Sequence, residues 1–146
     1  MENISKHITF EEATNSPTAQ RLNIDNRPNE LQLYNMKQVA ANCFEPLREW
    51  YNKPIKINSF LRVKALNIAI KGAKNSQHET GEAIDLSAGS SEENKKLYNW
   101  CKANLVYDQL INEFDYTWVH ISFSALGNRN MTLKATKNTK GQTIYS

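Results

Sequence analysis

The sequence predicts an α+β fold, a small antiparallel sheet with helices packed on it. Three observations lead there. Apolar residues recur at helical spacing early in the chain. Short alternating segments follow one another late in it. The two patterns do not interleave as they would around a parallel sheet. With 146 residues the chain is long enough for one domain and one core. Residues 1–146 are therefore expected to form a single domain, with an N-terminal arm over 1–29 and a loose tail over 136–146.

The arm is polar and broken by Pro17 and Pro28, with Asn23, Asp25 and Asn26 between them. That pattern predicts largely irregular chain with one short helix near Ala19. From Glu30 to Asn52, Leu33, Met36, Ala40, Cys43, Leu47 and Trp50 recur at steps of three and four, which puts them on one helical stripe. Pro46 lies inside the stripe and lacks a backbone donor, so a kink or a break into two helices is expected there. Pro54 opens a strand, Ile55 to Phe60, in which Ile55 and Ile57 alternate with lysine and asparagine. A short helix over Val63 to Ile70 and a polar loop from Ala73 to Thr80 follow. Glu82 to Leu86 reads as a strand. Ser90 or Ser91 caps a helix that carries Glu92 and Glu93 in its first turn and runs to Asn104. Strands are expected over Val106 to Asn112, Trp118 to Phe123 and Met131 to Ala135, and the tail from Thr136 is polar.

An apolar fraction of 40% and a charged fraction of 23% are those of an ordinary soluble globular protein. The net charge of +3 suits an anionic partner such as a cell-wall polymer or nucleic acid without requiring one. No run is apolar enough to span a bilayer. Met1 to Asn15 carries Glu2, Glu11 and Glu12 and no apolar core, so no secretory signal peptide is expected there. The expectation is synthesis in the cytoplasm, with any substrate beyond the membrane reached by another route. Cys43 and Cys101 are too few for a disulfide framework and too far apart for a CxxC zinc site. They read as small buried apolar residues.

The residues that carry chemistry are few. Of three histidines, His78 stands in a loop and His120 on a strand. A catalytic zinc takes three nitrogen or carboxylate ligands and keeps one position for water. Two imidazoles and one carboxylate meet that need and leave the centre positive enough to acidify the water. In the motif His78-x-x-Gly81-x-Ala83-x-Asp85, Gly81 supplies the turn that lets a loop residue and a strand residue converge. Alone, the motif also fits a surface histidine and a solvated aspartate.

Three spaced blocks make the pattern more specific: Ser59-Phe60-Leu61-Arg62, then Ser76-x-His78-x-x-Gly81-x-Ala83-x-Asp85, then Trp118-Val119-His120. In these the chain resembles the D-alanyl-D-alanine carboxypeptidase group of zinc peptidases, whose fold is shared by the signalling domain of hedgehog proteins. The stretch from Phe10 to Ala19, Ile24-Asp25-Asn26 and Pro46-Leu47-Arg48 resemble a phage-associated branch of that group, so the similarity runs to about Ala135. The resemblance implies a hedgehog/DD-peptidase-like fold and Zn2+ held by His78, Asp85 and His120. It implies that Arg62 contacts substrate, a role its planar guanidinium suits. The other reading of Arg62 is a structural ion pair. Ser76 is implied near the metal, or it caps the loop. Trp118 lines the cleft or belongs to the core.

The general base departs from the pattern. Many relatives carry an acid three positions before the last histidine, where this chain has Thr117. Glu113, at the end of the preceding strand, is the expected base, with Asp115 in reserve. The basic tail with Arg129, Lys134, Lys137 and Lys140 reads as solvated, or as a contact for wall polymers.

The function so implied is hydrolysis of a peptide bond in bacterial peptidoglycan, by a D-Ala-D-Ala carboxypeptidase or an endolysin-type endopeptidase. The partner is a peptidoglycan stem peptide. A monomer is expected, with no nucleic acid and no membrane insertion, acting on the wall after release or as part of a phage particle. The alternative is a zinc-stabilised binding module, or a phage structural protein with a decayed site.

Overall fold

The computed structural model of the protein describes residues 2–146; Met1, part of the expected domain, lies outside them. The fold is α+β. Helices α1 (Phe10–Thr14), α2 (Pro17–Arg21) and α3 (Glu30–Val39) lead into a π turn, Ala40–Phe44, and then α4 (Glu45–Tyr51). Strand β1 (Lys56–Ser59), helix α5 (Lys64–Ala69), a 3-10 turn over Gln77–Thr80 and strand β2 (Ala83–Ser87) come next. Helix α6 (Ser91–Asn104) precedes strands β3 (Gln109–Glu113), β4 (Trp118–Ser122), β5 (Met131–Lys137) and β6 (Thr143–Tyr145). Among the described residues no helix is long and apolar enough to cross a membrane.

The N-terminal arm is more ordered than its composition predicts. Thr9 and Glu12 form a capping box on α1, and Ser16 caps α2, so short polar runs become helix starts. Ile4, Ile8, Phe10 and Ala13 then join the core. Asn26 is buried because its amide donates to the carbonyls of Thr14 and Leu61, each at 3.0 Å, while its oxygen accepts from the Val63 N–H at 3.0 Å. The arm is thereby tied to the segment carrying Arg62. The third histidine, His7, lies 2.6 Å from Glu45 and anchors the arm to α4.

The expected break at Pro46 takes the form of the π turn just before it, where the Glu45 N–H reaches the Ala40 carbonyl. The wider turn shifts the helical phase. Trp50, expected on the buried stripe, is 46% exposed instead and stacks on Trp100 at 5.2 Å.

The sheet runs in the order β1-β2-β4-β3-β5-β6. It is mixed rather than antiparallel, because β3 and β5 pair in parallel. Strand β4 is already paired on both edges, with β2 and β3. The chain leaving it must cross the sheet end and enter on the free edge of β3, running in the same direction. Asp108 holds that crossing by accepting from the Arg129 backbone N–H at 3.0 Å and from its guanidinium at 2.9 and 2.7 Å.

The tail is not loose: Ala135 pairs with Tyr145 and Lys137 with Thr143. The turn between them is set by Asn138, whose side chain accepts from the N–H groups of Lys140 and Gln142, and by Gly141 at φ 76°.

Strand alternation gives the sheet two different faces. On one, Ile84, Leu86, Leu110, Val119 and Ile121 are fully buried against Met36, Val39, Phe44 and Leu97. Both cysteines sit there as free thiols, and burial pushes the Cys43 thiol up to about 12. The other face carries Asp85, His120, Ile111, Glu113 and Trp118 into a cleft of about 800 Å³.

Candidate metal centre

His78 is delivered by the 3-10 turn. Ser76 caps that turn, its Oγ accepting from the His78 N–H at 3.2 Å, and Gly81 ends it at φ 79°. A Cβ on Gly81 would lie 2.7 Å from the Gln32 carbonyl oxygen and 2.8 Å from Met36 Cγ, so only glycine lets α3 approach this closely. The imidazole is buried, and its Nδ1 lies 2.8 Å from the Phe60 carbonyl. A carbonyl only accepts, so Nδ1 donates its proton there and Nε2 is the ring atom turned toward the centre. Nε2 points at Asp85 Oδ2, 3.2 Å away, and has no hydrogen-bond partner.

Asp85 and His120 are cross-strand partners on β2 and β4. Asp85 Oδ1 is 3.0 Å from His120 Nδ1. A bulge between Ile57 and Ser59 sets Ser59 opposite Asp85 and starts the chain toward Arg62. Burial pushes the Asp85 carboxyl up, but His78 and then His120 outweigh it and hold the group ionised, well below the usual carboxylate range.

Ligand atoms of His78, Asp85 and His120 all lie within 4.8 Å of one another, and all three residues are buried. A buried imidazole nitrogen with no hydrogen-bond partner, beside an ionised carboxylate and a second imidazole, is a set that a divalent cation satisfies. The nitrogen–oxygen composition suits a zinc-type ion.

The other expected site residues fall into two groups. Arg62, Ser76, Glu113 and Trp118 line the same cleft. Asp115 does not: it is exposed in the turn joining β3 and β4, outside the cleft lining. In that turn Phe114, Asp115 and Tyr116 all have positive φ, and the last two carbonyls are held by α6, where Asn94 donates to the Tyr116 oxygen at 2.9 Å and the Thr117 oxygen at 3.1 Å. The left-handed geometry turns Asp115 outward while the strand ends keep Glu113 and Trp118 paired on the cleft face.

Glu113 is 7% exposed. Burial raises its carboxyl to about 6; His120 and Arg62 pull it down and Asp85 pushes it up. A carboxyl poised there exchanges protons readily near neutral pH.

Arg62 is placed by a network. Its backbone N–H donates to the His78 carbonyl at 3.0 Å, and its Nη1 donates to Asn67 Oδ1 at 3.0 Å. Asn67 in turn donates to the Ala73 carbonyl at 2.8 Å and to Glu79 Oε2 at 2.6 Å. A Cβ on Gly72 would fall 1.9 Å from Asn67 Oδ1, so the network needs glycine there. Arg62 Nη2 is 3.8 Å from Asp85 Oδ2, a loose ion pair, and its buried Nε has no partner. Trp118 packs on Phe114 at 5.4 Å, and its buried Nε1 is likewise unpaired.

The sequence reading missed the far wall of the cleft. Leu133 and Lys137 of β5 and Thr143 and Tyr145 of β6 line it. The alternation in Thr143-Ile144-Tyr145 was the signal available, three residues in a polar tail.

A family model described as Peptidase M15 matches residues 6–122. No curated protein matches the chain. The matched span includes Arg62, His78, Asp85, Glu113 and His120 and ends before β5 and β6. With most of its length in that match and a buried His-Asp-His group at its centre, the chain belongs to the peptidase M15 family.

Proposed function

We propose that the protein is a zinc-dependent peptidase that cleaves a peptide bond of bacterial peptidoglycan. The observation that carries this reading is Glu113, a buried carboxyl in the same cleft as the His78–Asp85–His120 group. Bound to those three residues, zinc supplies Lewis acidity toward a carbonyl and a water. Glu113 accepts the proton of the attacking water and returns it to the leaving amine. Arg62, held by Asn67, presents its free donors to a carbonyl or carboxylate of the peptide. Trp118 lines the cleft on the same strand face as His120.

Arg62, Lys71, Lys74 and Lys137 around the cleft favour a substrate rich in carboxylates, as stem peptides are. The scissile bond is D-Ala-D-Ala at a free C-terminus or an internal bond such as L-Ala-D-Glu. The protein acts as a monomer on the wall, after release or within a phage particle. Thr117 in place of the usual acid favours a second reading, a zinc-stabilised binding module. The two readings part on one assay. Zinc-loaded protein should release peptides from purified peptidoglycan; loading without release from the wall or from any stem peptide would favour the binding module.

A further inference from the structure

One residue of the cleft belongs to none of the motifs above. Across the sheet, Trp118 is paired with Glu113, Glu113 with Ala135, and Ala135 with Tyr145. Cross-strand partners share a face, so Tyr145 stands on the cleft face in the same row as Glu113. Between them lies only the methyl of Ala135, itself fully buried. Two strand spacings, about 10 Å between backbones, separate Tyr145 from Glu113, and both side chains line the cleft. Tyr145 lines the cleft and is 50% exposed, so its ring is neither core nor free surface.

The placement is asymmetric in a useful way. Arg62 follows β1, at one edge of the sheet, and Tyr145 is on β6, at the other. Asp85, His120 and Glu113 lie on the strands between. A peptide lying across the centre would meet a guanidinium at one end and a phenol at the other. The hairpin that carries Tyr145 lies outside the residues matched by the family model. Its turn is fixed by Asn138 and Gly141, and Lys137 donates to Thr143 at 3.1 Å, so this wall is built rather than incidental. Burial, then the charges of Glu113 and Asp85, push the ionisation of the phenol up, while Arg62 opposes them. Among the described residues the Tyr145 hydroxyl makes no hydrogen bond, so it is an uncommitted donor.

We propose that Tyr145 is a substrate-binding residue, its hydroxyl donating a hydrogen bond to the bound peptide at the β6 side of the cleft, opposite Arg62. The inference rests on the peptidase reading above. The contact is made to substrate and transition state alike, so its loss raises KM rather than lowering kcat.

The test is steady-state kinetics of zinc-loaded wild type, Tyr145→Phe and Ile144→Ser on the pentapeptide L-Ala-D-Glu-L-Lys-D-Ala-D-Ala. Ile144 sits beside Tyr145 on the opposite face of β6. Tyr145→Phe should raise KM about tenfold, the usual weight of one good hydrogen bond, with kcat within about threefold of wild type. Ile144→Ser should match wild type. Calorimetric titration of the same peptide into Glu113→Gln and into Glu113→Gln/Tyr145→Phe should show the same loss, about tenfold, without turnover. An unchanged KM in Tyr145→Phe beside an active wild type overturns this assignment alone. Equal losses in Tyr145→Phe and Ile144→Ser overturn it too, because they would make β6 merely structural. A wild type that neither binds nor cleaves the peptide removes the peptidase reading and this inference with it.

Discussion

The two faces of one sheet follow opposite rules. On the helix-covered face, Ile84, Leu86, Leu110, Val119 and Ile121 are packed to nearly zero exposure. On the cleft face, one residue along each strand, the side chains are Asp85, His120, Glu113 and Trp118. Among the described residues, the buried side-chain atoms without a hydrogen-bond partner are His78 Nε2, Arg62 Nε and Trp118 Nε1, and all three residues line the cleft. Unmet polar demand is costly in a fold and is kept where a ligand meets it. The difference teaches that stability is concentrated on one face and binding capacity on the other. Substitutions on the two faces should therefore fail in different assays.

The largest expected effect is on the cleft face. Glu113→Gln keeps the shape and removes the basicity, so peptide hydrolysis should drop about a hundred- to ten-thousand-fold with zinc retained. The same residue should weaken the metal-free fold. Its folded-state pKa is raised from 4.5 to about 6, so its contribution to stability is present below 4.5 and lost as pH rises through 6. Thermal melts of metal-free protein at pH 7 should show Glu113→Gln more stable than wild type. A less stable variant would mean that Glu113 serves the fold.

Leu86→Ala is the counterpart on the core face. It should cost about 2–5 kcal/mol in denaturant unfolding, because the closed packing cannot collapse around the hole. The surviving folded fraction should bind zinc normally. Loss of zinc at full folding would erase the distinction between the faces.

Arg62→Ala should reduce kcat/KM about 10- to 100-fold, the weight of a charged hydrogen bond, while zinc content and melting stay near wild type. Lysine should restore only part, since it lacks the planar fork. If Arg62→Ala unfolds the protein and lysine rescues stability, the loose pair with Asp85 is structural. Asp115→Asn should give the smallest effect, a rate near wild type, because its side chain lies outside the cleft.

How much of this was legible in the sequence depends on how local each feature is. His78, Gly81, Ala83 and Asp85 lie in one short run, and His120 sits in a strand of clear alternation, so the blocks that carry the family resemblance, and through it the ligand set, are local in sequence. Helix α6 announced itself through Ser90 and the acids after it. The arm's helix near Ala19 stands where the sequence puts it, while its further order comes from capping side chains and from Asn26, whose partners Leu61 and Val63 are distant in sequence. The parallel β3–β5 pair was hidden for a similar reason: it follows from β4 having no free edge, a property of the assembled sheet. Tyr145 was hidden because a three-residue strand has almost no pattern, and its place is set by a neighbour already in position.

The most direct test of the account is metal content. Wild-type protein, dialysed against buffer with trace zinc and analysed by mass spectrometry of the metal, should carry close to one zinc per chain. His78→Ala/His120→Ala should carry none while keeping the folded circular dichroism spectrum. Full occupancy in the double variant, or a wild type that takes up no zinc, would contradict the assignment of this face as a metal centre.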